Sequence, residues 1–249
     1  MMSRRSRGLI LCYHGVSDTW EHQLAVRPGA FERQLRTLLF RGYRPVPTAE
    51  AVRGGGKFLH VTFDDGYKNV TNALPALERL SIPSTLFACA DYAVDGRPLD
   101  VPRLVAEAAA HPEHLATLTW DELRALADRG VEIGSHTLTH PRLPDLSDGE
   151  LQRELGDSRE RIEAEIDRPC RYLAYPYGQH DERVRAATRG AGYEAAFALR
   201  NGADAREAYA LPRIDLYRKD HLLRAMLKTS FVMPVGSRLI RLLDREVEP

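Results

Sequence analysis

What the 249-residue chain most plainly lacks is charge of one sign: Lys+Arg and Asp+Glu both number 35, so the formal charge is zero. A nucleic-acid binder usually carries a basic surplus, and the balance argues for no nucleic-acid partner. The charges are interleaved, as in DSRERIEAEIDR, the pattern of a solvated helix face rather than of an interaction tail. Cysteine is scarce. Cys12, Cys89 and Cys170 form no C-x-x-C pair, and so sparse and odd a set suits buried thiols in a reducing compartment better than a disulfide framework. No apolar run approaches the ~20 residues of a membrane-spanning helix. The opening MMSRRSRGLILCYHGVSD starts basic, but its apolar run 9–13 stops at His14, too short for the hydrophobic region of a signal peptide. The expectation is a cytoplasmic protein, with peripheral membrane contact as the lesser reading. Repeats, low-complexity tracts and linkers are missing as well. The whole of 1–249 therefore reads as one domain, with a motif-bearing core over about 8–216 and helices over 217–249. A chain this long buries roughly three quarters of its unfolded surface, so it needs no staples.

What is present is a strand–helix rhythm. Apolar runs of strand length fall at 9–13, 43–46, 58–63, 84–88, 131–135, 171–175, 195–199 and 210–214. Helical patterns lie between them. In 30–41, Phe31, Leu35, Leu38 and Leu39 share one face. Thr119 with Glu122, and Ser147 with Glu150, have the spacing of capping boxes, and Gly130 follows the first helix as a C′ glycine does. Such alternation predicts an α/β fold with a parallel sheet inside and helices outside, a barrel or a doubly wound sheet. The Gly54–Gly56 run reads as a loop, residues 95–114 as an irregular insertion over one barrel end, and the C-terminal HLLRAMLKTSFVMPVGSRLIRLLDR as two short basic amphipathic helices packed outside.

Three segments carry chemistry. LHVTFDDGY (59–67) is an apolar strand ending in adjacent carboxylates, Asp64 and Asp65, followed by Gly66. In parallel α/β folds functional groups gather at that strand end, and Gly66 permits a turn that lets both carboxylates face one site. Close carboxylates resist double ionisation unless a cation lies between them. An Asp-Gly turn with helix-capping aspartates would look the same. VEIGSHTLTH (131–140) is a second strand ending in polar residues, with His136 and His140 four apart. On one helical turn that spacing brings two imidazoles within reach of one ion, with the intervening threonines as hydrogen-bonding support. One Asp and two His make a three-ligand set with open positions, the pattern of a catalytic metal site, leaving the other Asp as general base. The third, RYLAYPYGQ (171–179), ends a strand in a Pro-Tyr-Gly turn whose N–H groups can face a developing oxyanion, although on its own it is an aromatic turn.

Together these segments give a resemblance. T-F-D-D-G at 62–66, H-x-x-x-H at 136–140 and P-Y-G at 176–178 stand in the order of the three motifs of the polysaccharide deacetylases, the NodB-homology superfamily (carbohydrate esterase family four). The resemblance implies a distorted (β/α) barrel with fewer than eight repeats, and metal-dependent removal of an N-acetyl group from an amino sugar or glycan. It implies Asp64 as general base, Asp65, His136 and His140 as ligands of a divalent ion (Zn²⁺, or Co²⁺, Ni²⁺ or Fe²⁺), and the Tyr177 backbone N–H as oxyanion donor. Two parts of the family pattern are missing. Ala174 stands where an Arg usually precedes the Pro, and no late Leu-x-His follows residue 200. The Y-H-G-V opening at 13–16, A-Y-P-Y-G at 174–178 and P-R-I at 212–214 are similar to the branch of the poly-N-acetylglucosamine deacetylases. There the acid histidine belongs to the first strand, which nominates His14 as general acid. Arg213 has two readings of equal weight: a substitute for the missing Arg that orients Asp64, or an ordinary surface or helix-facing ion pair.

Within the same superfamily, O-acetyl ester and cyclic-amide hydrolysis remain alternatives, and a silent glycan-binding module is the non-enzymatic one. With no signal peptide evident, the substrate is expected among nucleotide sugars, lipid-linked precursors or small glycosides. Among other residues, His60 is expected to pack, His180 to be exposed, His22, His111 and His114 to be solvated, and His221 to sit on the surface. Tyr67, Tyr175 and Tyr177 have the aromatic faces that suit a sugar ring, with core packing an equal alternative for Tyr175.

Overall fold

The computed structural model describes residues 8–199 and 207–230. In chain order the strands are β1 (Leu9–Tyr13), β2 (Gly15–Val16), β3 (Ala25–Val26), β4 (Arg44–Pro45), β5 (Phe58–Phe63), β6 (Ser84–Ala88), β7 (Glu132–Ser135), β8 (Tyr172–Ala174), β9 (Ala195–Leu199) and β10 (Leu211–Asp215). The helices are α1 (Pro28–Phe40), α2 (Thr48–Arg53), α3 (Leu74–Arg79), α4 (Val105–Ala110), α5 (Pro112–Leu115), α6 (Trp120–Asp128), α7 (Asp148–Ile166), α8 (Glu182–Gly190) and α9 (Leu222–Lys228). The main sheet runs β1-β10-β9-β8-β7-β6-β5, and β5 returns to β1 in register from Leu9↔Leu59 to Tyr13↔Phe63. Seven parallel strands thus close into a barrel with helices around it, one repeat short of eight. The strand expected over 43–46 shrinks to β4, a two-residue appendage on β5 outside the closed ring. Pro45 ends it and Pro47 follows, and neither supplies an N–H for a longer ladder.

Burial on both faces explains why these strands are near-continuous apolar runs. Successive residues face opposite ways, so one parity of each strand points outward to the helices. Leu9, Leu11, Leu59, Val61 and Phe63 join Phe31, Leu35 and Leu38 of α1 in the larger core. The other parity fills the barrel, where Ile10, Phe58, Phe87, Tyr172, Phe197 and Leu211 form a separate apolar plug. Two residues further along the same inward parity the side chains turn polar. Ile10 is followed by Cys12 and His14, Phe58 by His60, Thr62 and Asp64, and Leu211 by Arg213 and Asp215. The carboxyl end of the barrel is therefore a polar chamber on an apolar floor.

Both capping boxes form, Thr119 with Glu122 at α6 and Ser147 with Glu150 at α7. Residues 95–114 are the irregular insertion expected, holding only the short α4 and α5. Two isolated bridges anchor its end: Pro98↔Ala116 closes the segment on itself, and Tyr67↔Thr117 joins the residue that follows to the loop after β5. Of the two C-terminal helices expected, α9 forms and packs on α1, and the second lies outside the described residues. No helix among the described residues is long and apolar enough to cross a membrane.

Candidate active site

The first carboxylate continues the inward parity of β5. Asp64 is buried, its N–H donates to the Tyr13 carbonyl at 2.9 Å, and both its oxygens are taken by Arg213, at 2.6 Å from Nη1 and 2.7 Å from Nη2. Arg213 itself is 0 % exposed and also donates to Thr62 Oγ1 at 3.1 Å. It lies inside the barrel, neither on the surface nor against a helix. Burial, the largest single influence, opposes the Asp64 carboxylate. The Arg213 charge and its hydrogen bonds, with His136 and His14 nearby, outweigh it and hold the carboxyl below its ordinary range. Cys12 donates its thiol to Asp64 Oδ2 at 3.3 Å.

On a regular strand Asp65 would point the other way. Its φ of 70° and the 72° of Gly66 turn it back instead, so the reversal begins at the aspartate itself and not only at the glycine. Left-handed backbone in a non-glycine residue costs of order 1 kcal/mol. Thr137 (70°), His140 (63°) and Tyr177 (58°) repeat that cost around the same site. The turn brings Asp65 Oδ1 to 3.4 Å from His136 Nε2 and 3.3 Å from His140 Nε2. Atoms held tetrahedrally at the usual Zn–N and Zn–O distances stand about 3.3–3.4 Å apart. Asp65 Oδ1 is buried and accepts no conventional hydrogen bond, an arrangement that only a cation or protons shared with the imidazoles would satisfy. Asp65, His136 and His140 thus fit a small divalent ion. Burial again opposes the Asp65 carboxylate, but contact with the two imidazoles pulls its carboxyl well below the ordinary range.

The histidines do not sit on a helical turn, as their spacing suggested. Residues 136–140 form an irregular loop with two left-handed residues, held from outside. Glu154 of α7 is buried and accepts from the N–H groups of Leu138 (2.9 Å) and Thr139 (3.1 Å) and from Thr139 Oγ1 (2.6 Å). Within the loop, Ser135 Oγ accepts from the Thr137 N–H and Thr137 Oγ1 from the His140 N–H. His136 Nδ1 lies 2.8 Å from the Ala174 carbonyl. Donation there would leave the Nε2 lone pair free for an ion, as in the usual second-partner arrangement of a ligating histidine. Glu154 escaped the reading of the sequence. Its only sign there is a carboxylate in the stripe Leu151, Leu155, Ile162 of α7.

His14 follows β1, half-buried, with Nδ1 unpartnered and its ring stacked at 6.0 Å on Tyr217. Its nearest ring nitrogen lies within 4.8 Å of the ligand atoms of both Cys12 and Asp64. That trio suits no cation, since Arg213 occupies both Asp64 oxygens. Burial pushes the His14 imidazole down from its ordinary value, against the pull of Asp65 and Asp64. Asp215, two residues beyond Arg213 on the same inward parity, is a second group the sequence did not single out. Burial pushes its carboxyl up to about 7.

The Pro176–Gly178 turn closes with the Gly178 and Gln179 N–H groups donating to the Tyr175 and Pro176 carbonyls. The Tyr177 N–H stays outside the turn's own bonds. Gly178 has no substitute here, because a Cβ at its φ of 65° would stand 2.7 Å from the Leu199 backbone nitrogen. The Tyr177 ring is half-buried and edge-on to His140 at 4.6 Å.

Several other expectations change. Tyr67 and Tyr175 are both 0 % exposed, so neither can stack on a sugar. His180 is half-buried against Tyr175, with ring centroids 4.9 Å apart, rather than exposed. His22 and His114 are not free in solvent: both stack on the buried Trp20, at 5.3 and 6.1 Å. His111 and His221 are exposed. His60 packs as expected, bonded to the Val46 carbonyl at 2.9 Å and Thr85 Oγ1 at 2.8 Å. The three cysteines are buried and free.

A family model described as polysaccharide deacetylase matches residues 51–196. The Bacillus subtilis (strain 168) protein YxkH is 27 % identical over 215 residues, 82 % of this chain and 70 % of that protein. A chitooligosaccharide deacetylase of Sinorhizobium fredii is 26 % identical over 144 residues, 57 % of this chain and 56 % of that one. Among solved structures, IcaB from Ammonifex degensii superposes with a TM-score of 0.71 at 24 % identity, over 90 % of this chain and 98 % of that chain. The last likeness concerns the fold.

Proposed function

The chain belongs to the polysaccharide deacetylase family, and from that premise we propose that it hydrolyses the N-acetyl group of an amino sugar in a glycan, using a divalent ion held by Asp65, His136 and His140. One observation carries the reading: two adjacent buried carboxylates have opposite partners, Asp64 a guanidinium and Asp65 two imidazoles. Zn²⁺ is the ion expected from the N/O donor set, with Co²⁺, Ni²⁺ and Fe²⁺ as alternatives. When bound, such an ion polarises a carbonyl and acidifies water.

The remaining steps belong to the chain itself. Asp64, kept ionised by Arg213, takes a proton from the attacking water. The Tyr177 N–H faces the oxygen on which negative charge develops. His14 delivers a proton to the departing amine, and the burial that lowers its pKa makes its charged form a stronger acid. The relative named a chitooligosaccharide deacetylase supports an N-acetylglucosamine-containing substrate. O-acetyl ester cleavage would use the same groups.

Acetate release from N- and O-acetylated sugars, before and after chelation, tests the reading. Release from the N-acetyl sugar should vanish on stripping and return with Zn²⁺. Asp64→Asn should keep the metal and lose about 10²–10⁴ in turnover, whereas Asp65→Asn should lose the metal. Near-normal turnover of metal-loaded Asp64→Asn, or release from O-acetyl sugars alone, would refute it.

A further inference from the structure

The mouth of this site carries a cation that the chemistry above does not use. Arg103 belongs to the 95–114 insertion, exposed between Val101 and Leu104, which are buried at 5 % and 7 % exposure. The Leu104 N–H also donates to the Val101 carbonyl at 2.7 Å. The flanking apolar side chains thus pin the backbone and hold Arg103 at a defined place. Its guanidinium lies over the Tyr177 ring, 5.3 Å from the centroid, and that ring's other neighbour is His140 at 4.6 Å. Arg103 is therefore no more than about 10 Å from a proposed metal ligand.

What distinguishes it is the partner it lacks. Arg142, the other arginine whose charge reaches the Tyr177 phenol, is neutralised by Asp145 at 3.0 Å. Arg97, in the same insertion, is paired with Asp95 at 3.1 Å. Among the described residues no carboxylate or carbonyl receives the N–H groups of Arg103. An aromatic face positions a guanidinium without cancelling its charge and leaves its N–H fork available. Such a fork matches the paired oxygens of a phosphate or carboxylate.

We propose that Arg103 is a specificity-determining residue that binds an anionic group, phosphate or carboxylate, carried by the substrate next to its acetylated sugar. The proposal rests on the deacetylase reading for its substrate but makes a separate prediction about binding.

The test compares neutral N-acetylglucosamine with its phosphomonoester and with N-acetylmuramic acid, whose lactyl group supplies a carboxylate. Binding to the full metal-loaded chain would be followed by calorimetry, alongside KM and kcat for acetate release. One or both anionic sugars should bind at least about tenfold more tightly than the neutral one, the scale of a charge-assisted hydrogen bond. Whichever is preferred identifies the group as phosphate or carboxylate. Arg103→Gln should abolish that preference through KM, and Arg103→Lys should restore part of it. Equal losses on neutral and anionic sugars, carried in kcat, would mean that Arg103 only props Tyr177 and would overturn the proposal. So would a wild-type protein with no anionic preference. Anionic preference without acetate release would instead leave this inference standing and remove the deacetylase reading.

Discussion

Asp64 and Asp65 are consecutive in sequence and almost equally buried, 3 % and 4 % exposed, yet they belong to two different halves of the chamber. The Asp64 half is supplied by β1, β5 and β10 and is balanced in charge: a bidentate ion pair between Asp64 and Arg213. The Asp65 half is supplied by the loops after β5 and β7 and is short of positive charge, with a buried oxygen that accepts no conventional hydrogen bond and two imidazoles converging on it. Identical side chains acquire different chemistry from their partners. A buried carboxylate facing a guanidinium is held ionised, and one facing two imidazoles has the donor set that could share a cation.

The strongest way to break that contrast is to remove the guanidinium. Arg213→Met leaves Asp64 buried and unpaired, which costs about 3–5 kcal/mol of stability. Folded protein should then show the Asp64 pKa raised by burial. Each unit of rise is a tenfold loss of carboxylate below the new pKa, so the acidic limb of the kcat/KM profile should move to higher pH. An unmoved limb would dissociate Arg213 from the ionisation of Asp64.

The other half is approached through Glu154, which holds the histidine loop without touching the ion site. Glu154→Ala should weaken metal affinity by about 10–100-fold, the usual range for a group supporting the ligands. Metal titration against a fluorescent chelator measures this, and unchanged affinity would mean that the loop keeps its left-handed turns unaided.

The last effect lies below both halves and is confined to acidic pH. His60 is on the same inward row as Asp64 but fully bonded, and burial pushes its imidazole down to about 4. The folded pKa lies below the ordinary value of 6.5, so the unfolded chain takes up protons first as the solution is acidified. The stability contributed by neutral His60 is whole above about 6.5 and is lost as pH falls towards about 4, by up to about 3 kcal/mol. Denaturant unfolding of His60→Gln across that window should lack this component. An identical pH dependence would show that His60 titrates normally.

Much of this was legible in the chain. The runs at 9–13, 58–63, 84–88 and 195–199 coincide with β1, β5, β6 and β9 because strands buried on both faces must be apolar throughout. The capping boxes at Thr119 and Ser147 fixed helix starts through purely local bonds. The motifs D-D-G, H-x-x-x-H and P-Y-G follow β5, β7 and β8, at the same end of one parallel barrel. Glu154 was hidden because α7 is highly charged, and only contact with the histidine loop distinguishes one glutamate from the others. The spacing of His136 and His140 suggested a helical turn because local periodicity carries no information about φ at Thr137 and His140, which is held by bonds to Ser135, Thr137 and Glu154.

Local physics therefore determined the elements, their order, and the residue types gathered at the barrel's carboxyl end, since apolar runs, caps and turns depend on near neighbours alone. Closure decided the rest. The pairing of β1 with both β5 and β10 turned Cys12, Asp64 and Arg213 towards one another, although Arg213 stands 149 residues from its partner. Which face of a strand is inside is a property of the ring, not of the strand. That is why the sequence left Arg213 between two readings, and why the pairing of Asp64 with it waited for the folded chain.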